Sequence, residues 1–207
     1  MPLQQISYEE ARELMQPGDV IAFGGKGNFS EIIKMATFSE VSHVGVILQT
    51  GVRGENNGRF FNQIIESTSL GDFNGVQINR FSDRLAHYDG DLWWLPLDKA
   101  LRIEFFDQEV FYNFLFQQDH KPYDMPQAVG SALDLLDKLG AENREDFNKF
   151  FCSELVAAAL EKIGLVPKIN ASEVTPIELC RWDIYDSNYY QLKGPPKPIS
   201  KYSSIQT

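Results

Sequence analysis

Phe150-Phe151-Cys152-Ser153-Glu154-Leu155-Val156-Ala157-Ala158-Ala159-Leu160-Glu161-Lys162-Ile163-Gly164 reads as a helix with a sulfur near its start. Leu155, Val156, Ala159, Leu160 and Ile163 recur in steps of three and four, so one face is apolar and must be covered; Gly164 and then Pro167 supply a stop. The first N–H groups of a helix have no acceptor within it and the macrodipole is positive there, which favours a thiolate at Cys152. The other reading of Cys152, and the commoner fate of a free cysteine, is a small buried hydrophobe.

The apolar face of that helix needs a sheet or a second helix to pack on, and the sequence offers strands. Residues 41–48, Val-Ser-His-Val-Gly-Val-Ile-Leu, are nearly continuous in apolar character and predict a central strand covered on both faces, with His43 conspicuous within it. An imidazole there is either a core group bonded to backbone or a functional one. Residues 51–59 are polar and glycine-rich and predict a hairpin loop, with the chain returning as a strand over 60–66. That hairpin brings Glu66 onto the strand beside His43, where both side chains can lie on one face; the ordinary alternative is an exposed carboxylate at a strand end.

Around this pair, Ser7 and Glu10 form a capping box for a helix to about Met15, and residues 19–23 alternate as a strand closed by Gly24-Gly25-Lys26-Gly27. Those glycines lack the spacing and the Lys-Ser/Thr ending of a phosphate loop and predict a turn. Asn28 and Glu31 suggest a second capping pair before Ile32, Ile33, Met35 and Ala36. Strands are expected over 76–81 and 92–97, the latter with Trp93 and Trp94 turned one to the core and one partly to solvent. Helices are expected over 107–116 and 126–139, and from the Thr175-Pro176-Ile177-Glu178 cap, with an edge strand over 185–192. Cys180 falls inside the last helix without a companion motif and is expected to be inert. His87 and His120 sit beside charged or turn residues and read as surface groups. The pattern is α+β, one domain over residues 1–193, with the proline-containing segment 194–207 extended or disordered.

Composition narrows what such a domain can do. The chain has 207 residues, 43% hydrophobic and 23% charged, with a formal net charge of -10 from 19 basic and 29 acidic groups. No basic run is present, which disfavours a nucleic-acid or anionic-membrane partner. Two cysteines do not make a disulfide framework and read as thiols in a reducing compartment. The first residues carry neither a basic nor an apolar targeting region, and no stretch is long enough to span a bilayer, so the expectation is a cytoplasmic protein with no membrane span. Three histidines and two cysteines lack the paired spacing of zinc sites, and HExxH is absent, so neither a metal nor any other cofactor is expected.

What remains is Cys152 at a helix start, His43 on a strand and a polar residue one strand along. A neighbouring imidazolium and a helix dipole lower a thiol's pKa, a carboxylate on the far ring nitrogen orients the imidazole, and backbone N–H groups near the sulfur can stabilise an oxyanion.

The segments Pro17-Gly18-Asp19-Val20-Ile21, Ser42-His43-Val44-Gly45-Val46, Ile65-Glu66, Pro122-Tyr123-Asp124 and Phe151-Cys152-Ser153-Glu154-Leu155 together resemble the permuted papain-fold cysteine hydrolases, the YiiX/YaeF-like branch of the NlpC superfamily, in which the histidine precedes the cysteine. The resemblance covers about residues 15–165. It implies a papain-like, circularly permuted NlpC-type antiparallel sheet or small barrel packed by helices. It also implies a Cys152 nucleophile, a His43 base, a Glu66 orienting residue, and Tyr123 at the cleft as an oxyanion donor; Tyr123 also reads as a packing residue after a proline. The activity implied is thiol-dependent hydrolysis of an amide, in a peptide or amidated small-molecule substrate, through a thioester acyl-enzyme. The alternatives are acyl transfer of the lecithin:retinol acyltransferase type and a silent binding module. Several members of that branch are exported, whereas this N-terminus shows no such signal. The oligomeric state is not legible.

Overall fold

The structure is a computed structural model and describes residues 1–54, 60–122 and 151–199. Seven strands form a single sheet: β1 (Leu3–Gln5), β2 (Val20–Gly25), β3 (His43–Arg53), β4 (Phe60–Leu70), β5 (Phe73–Arg80), β6 (Gly90–Leu95) and β7 (Tyr189–Lys193). Their order is β1-β7-β6-β2-β3-β4-β5, antiparallel at every pair except β1 with β7. The fold is therefore α+β, with helices packed on the sheet.

Strand alternation divides the apolar residues into two cores. Val20, Ala22, Val44, Val46, Leu48, Ile65, Trp93 and Leu95 pack with Leu155, Val156, Ala159 and Leu160 of the helix Phe151–Lys162. Ile21, Phe23, Ile47, Ile64, Leu92 and Trp94 form the other face with Ala11, Met15 and Phe81. Both tryptophans are thus buried, on opposite faces, rather than one being partly exposed as the sequence suggested. The cause is that β6 is an interior strand, paired with β2 and β7, with both its faces covered. The helix Phe151–Lys162 closes as read: Gly164 takes φ +78°, and Gly164 N–H and Leu165 N–H donate to the Glu161 and Leu160 carbonyls, a Schellman ending.

Several boundaries differ from the sequence reading for local reasons. The helix Asn28–Ala36 is preceded by Gly27 in extended conformation as N-cap, so Asn28 lies inside it and is not the cap. β4 continues through Ser67, Thr68 and Ser69 to Leu70, which makes Glu66 an interior position. The segment expected at an edge is β7, and it lies between β6 and β1, because the short N-terminal strand β1 covers it. Phe81–His87 and Lys99–Phe105, neither expected, are helices. The capping boxes at Ser7–Glu10 and Thr175–Glu178 are formed. The expected helix over 126–139 lies, with Tyr123, wholly outside the described residues. Residues 194–199 turn at Gly194, φ +94°, and are tied to the sheet rather than running as an extended or disordered tail: Trp93 Nε1 donates to the Lys197 carbonyl at 2.9 Å, Lys197 pairs with Asp91 and Glu40, and Ile199 is buried; residues 200–207 lie outside the described residues. No helix among the described residues is long and apolar enough to cross a membrane.

Asp19 anchors the entry to β2. Its buried carboxylate accepts from Trp94 Nε1 at 2.9 Å, Gln16 N at 2.9 Å and Leu97 N at 3.0 Å, and pairs with Arg102, whose guanidinium also donates to the Pro17 carbonyl. Removing one partner of a buried pair strands the other charge. Asp19→Ala is therefore expected to destabilise the fold by about 3 to 5 kcal/mol, read by urea denaturation; a loss below about 1 kcal/mol, the worth of an exposed pair, would refute this role.

Candidate functional site

The site forms where two strands part. The registered pairing of β3 with β4 begins at Val46 opposite Ile65, so the first residues of β3 extend past the ladder. Alternation aims the N–H of Val44, like that of Val46, toward β4, and at this position it meets the Cys152 sulfur. Cys152 belongs to the helix-side core, whereas His43, directly paired with Phe23, belongs to the other face. They meet because His43 is the first residue of β3 and the sulfur reaches the strand end.

Each member is held by its own neighbours. Ser42 is buried, accepts from Gly25 N at 3.1 Å and donates to the Phe23 carbonyl at 3.2 Å, which fastens the chain immediately before His43 to the end of β2. The imidazole packs against the Phe23 ring, with centroids 5.0 Å apart. Its Nε2 lies 2.8 Å from Glu66 Oε2, so Nδ1 is the ring nitrogen left for Cys152. Glu66 is wholly buried, not an exposed strand-end carboxylate. A glycine is needed beside it: a Cβ on Gly45 would stand 3.2 Å from the Glu66 Cβ and 2.8 Å from Ile64 Cδ1. Two further residues, unforeseen from sequence, complete the surroundings. Arg84 donates from Nε to Glu66 Oε1 at 2.7 Å and from Nη2 to Oε2 at 3.2 Å. The Tyr88 ring meets Phe23 edge-on and lies under the Arg84 guanidinium at 4.8 Å, and its hydroxyl is bonded to Ser42. The one signal for Arg84 was the Phe81–Leu85 apolar pair at helical spacing, which marks a helix but not what its arginine touches.

The electrostatics follow from these contacts. Burial alone would push the Cys152 thiol up, but the His43 imidazolium beside it and the Val44 and Ser153 N–H groups outweigh burial and hold the thiol below its ordinary value. Burial would likewise push His43 down; the adjacent thiolate and the Glu66 carboxylate raise it instead, to about 9. Burial opposes the Glu66 charge too, yet His43 and Arg84 keep its carboxyl below the usual range. Since the folded value for His43 lies above the unfolded one, the ion pair's contribution to stability is complete below about pH 6.5 and is lost as pH rises through about 9. Cys180 is the internal contrast: it is buried, no imidazole faces it, and burial pushes its thiol well up.

Of the residues singled out from sequence, Cys152, His43 and Glu66 are brought together, and Tyr123 lies outside the described residues. His87 and His120 are exposed. Among the described residues, no group of three or more His, Cys, Asp or Glu is arranged to hold a metal ion.

No protein-family model matches the chain, and no curated protein matches it. Among solved structures, a crystal structure described as the metalloprotein yiiX from Escherichia coli O157:H7 (DUF1105) is similar, with 21% sequence identity and a TM-score of 0.46. The match covers 72% of this chain and 67% of that one. The reading of the site rests on its own geometry.

Cys152 is expected to react with iodoacetamide at about pH 6, with Cys180 unmodified, because reactivity follows the thiolate fraction. His43→Ala should move the Cys152 profile to higher pH. Peptide mass mapping reads both; equal labelling of the two cysteines, or a His43→Ala profile unchanged from wild type, would contradict the pairing.

Proposed function

We propose that this protein is a cysteine-dependent hydrolase that cleaves an amide, in a peptide or amidated small substrate, through a thioester acyl-enzyme on a papain-like fold. The observation that carries this reading is the contact chain from the Cys152 sulfur through the His43 imidazole to the buried Glu66 carboxylate. A core cysteine needs neither an imidazole nor a lowered pKa, and a core histidine needs no buried carboxylate.

In this reading the Cys152 thiolate attacks the substrate carbonyl carbon, forming the C–S bond and placing the charge on the carbonyl oxygen. The Val44 and Ser153 N–H groups, which face the sulfur, are the donors nearest that oxyanion. As the tetrahedral adduct collapses, the C–N bond breaks and His43 gives its Nδ1 proton to the departing amine. The now neutral imidazole takes a proton from water, the resulting hydroxide adds to the thioester carbonyl, and departure of the thiolate releases the acid. Glu66 accepts from Nε2 throughout, so the ring keeps Nδ1 toward the sulfur as its charge changes.

p-Nitrophenyl acetate tests this without knowledge of the natural substrate. Incubation should leave one acetyl group on the Cys152 peptide, and Cys152→Ala should abolish both adduct and turnover. On an amide such as a p-nitroanilide, whose amine leaves only with a proton, the rate should fall as pH rises past about 9 and His43 loses that proton. Turnover that survives Cys152→Ala, or an adduct located on another residue, would overturn the proposal.

A further inference from the structure

Glu66 serves two cations. One oxygen meets Arg84 Nε at 2.7 Å, and the other is shared between Arg84 Nη2 at 3.2 Å and His43 Nε2 at 2.8 Å. The guanidinium itself packs against two aromatic rings that touch each other, 5.0 Å from the Phe23 centroid and 4.8 Å from that of Tyr88, and its side chain is 9% exposed. A planar fork gripped in this way fixes the plane of the carboxylate it binds, which a lysine ammonium cannot do.

We propose that Arg84 is a positioning residue of this site, the counter-ion that lets the Glu66 carboxylate and a Cys152 thiolate share one imidazolium. It rests on the reading of Cys152 as an activated nucleophile. The argument is a charge count within a buried cluster. Glu66 and the thiolate are two anions and His43 is one cation, so the three alone would carry a surplus negative charge away from water, which is costly. Arg84 brings the sum to zero. Without it the cluster relieves the surplus by binding a proton, and the proton goes to the more basic anion: an ordinary thiol titrates near about 8.5 and an ordinary glutamate near about 4.3. Loss of Arg84 thus reaches the sulfur without touching it. The charged and titratable groups facing the cluster are His43 from β3, Glu66 from β4, Cys152 from its helix, Arg84 from the helix Phe81–His87, Tyr88 just after it, and, on the Cys152 side, Cys180 from the helix Pro176–Cys180, whose thiol burial keeps neutral. Burial and its neighbours leave Tyr88 a neutral phenol.

The full chain is compared with Arg84→Met, Arg84→Lys, Glu66→Gln and the Glu66→Gln/Arg84→Met double variant. Each has its fold checked by circular dichroism, and the rate of iodoacetamide addition at Cys152 is followed against pH. Arg84→Met should lower the rate at about pH 6 by about tenfold or more, the change expected from a thiol raised by about one pH unit. Arg84→Lys, which keeps the charge, should lie closer to wild type. The double variant, neutral again, should regain much of the low-pH rate. An Arg84→Met profile superimposed on wild type, or a double variant as slow as Arg84→Met, would overturn the proposal. If Arg84→Met does not fold, the double variant is compared with Glu66→Gln: its profile should lie at higher pH, and coincidence of the two would overturn the proposal. A wild type without low-pH reactivity would instead defeat the nucleophile reading itself, and that is seen before any variant is made.

Discussion

A carboxylate with no exposure to water governs this structure. Glu66 has lost its solvation entirely, and burial alone would favour its neutral form. It keeps its charge because His43 and Arg84 occupy both its oxygens. Every other feature of the site serves this arrangement or follows from it. Gly45 leaves space for it, Phe23 and Tyr88 grip the guanidinium that serves it, and Ser42 fixes the chain just before the imidazole. The raised His43 then holds the Cys152 thiol down.

The sheet determines where this can happen. Within a regular ladder, a helix on one face could not touch an imidazole turned to the other. At the start of β3 the pairing with β4 has not yet begun, and the backbone N–H of Val44 is available to a sulfur arriving from the helix side. The place where β3 and β4 separate is thus both a gap in hydrogen bonding and the point where the two cores come within reach of each other. The helix contributes rigidity: its apolar face is packed on β3 and β4, and Ser153, next to the cysteine, is buried with its hydroxyl bonded to the Val174 carbonyl. A nucleophile placed this way needs little reorganisation to meet its base.

How much of this was legible in the sequence depended on whether the cause was local. The capping boxes at Ser7 and Thr175, the Gly164 stop and the apolar rhythm of the cysteine helix are decided by residues a few positions apart, and they appear as read. Cys152, His43 and Glu66 could be named together because a hairpin makes neighbours of its strands and because the helix start advertises its chemistry. The burial of Glu66 was not visible, since it depends on β4 running on to Leu70 with β5 alongside. Nor was the interior position of β7, which depends on a three-residue strand at the other end of the chain. Arg84 shows the limit most clearly: it sits in a short, unremarked helix, and only the folded chain brings its guanidinium to a carboxylate 18 residues away.

The central claim is that Cys152 rests as a thiolate against an imidazolium. Titrating the ultraviolet absorbance of the thiolate, in the wild type minus Cys152→Ser, tests it without substrate or alkylating agent. The difference should already be present near neutral pH and titrate in on the acid side, well below the ordinary thiol value of about 8.5. A difference that emerges only above about pH 8 would show a neutral thiol beside a neutral ring, and the account would fail.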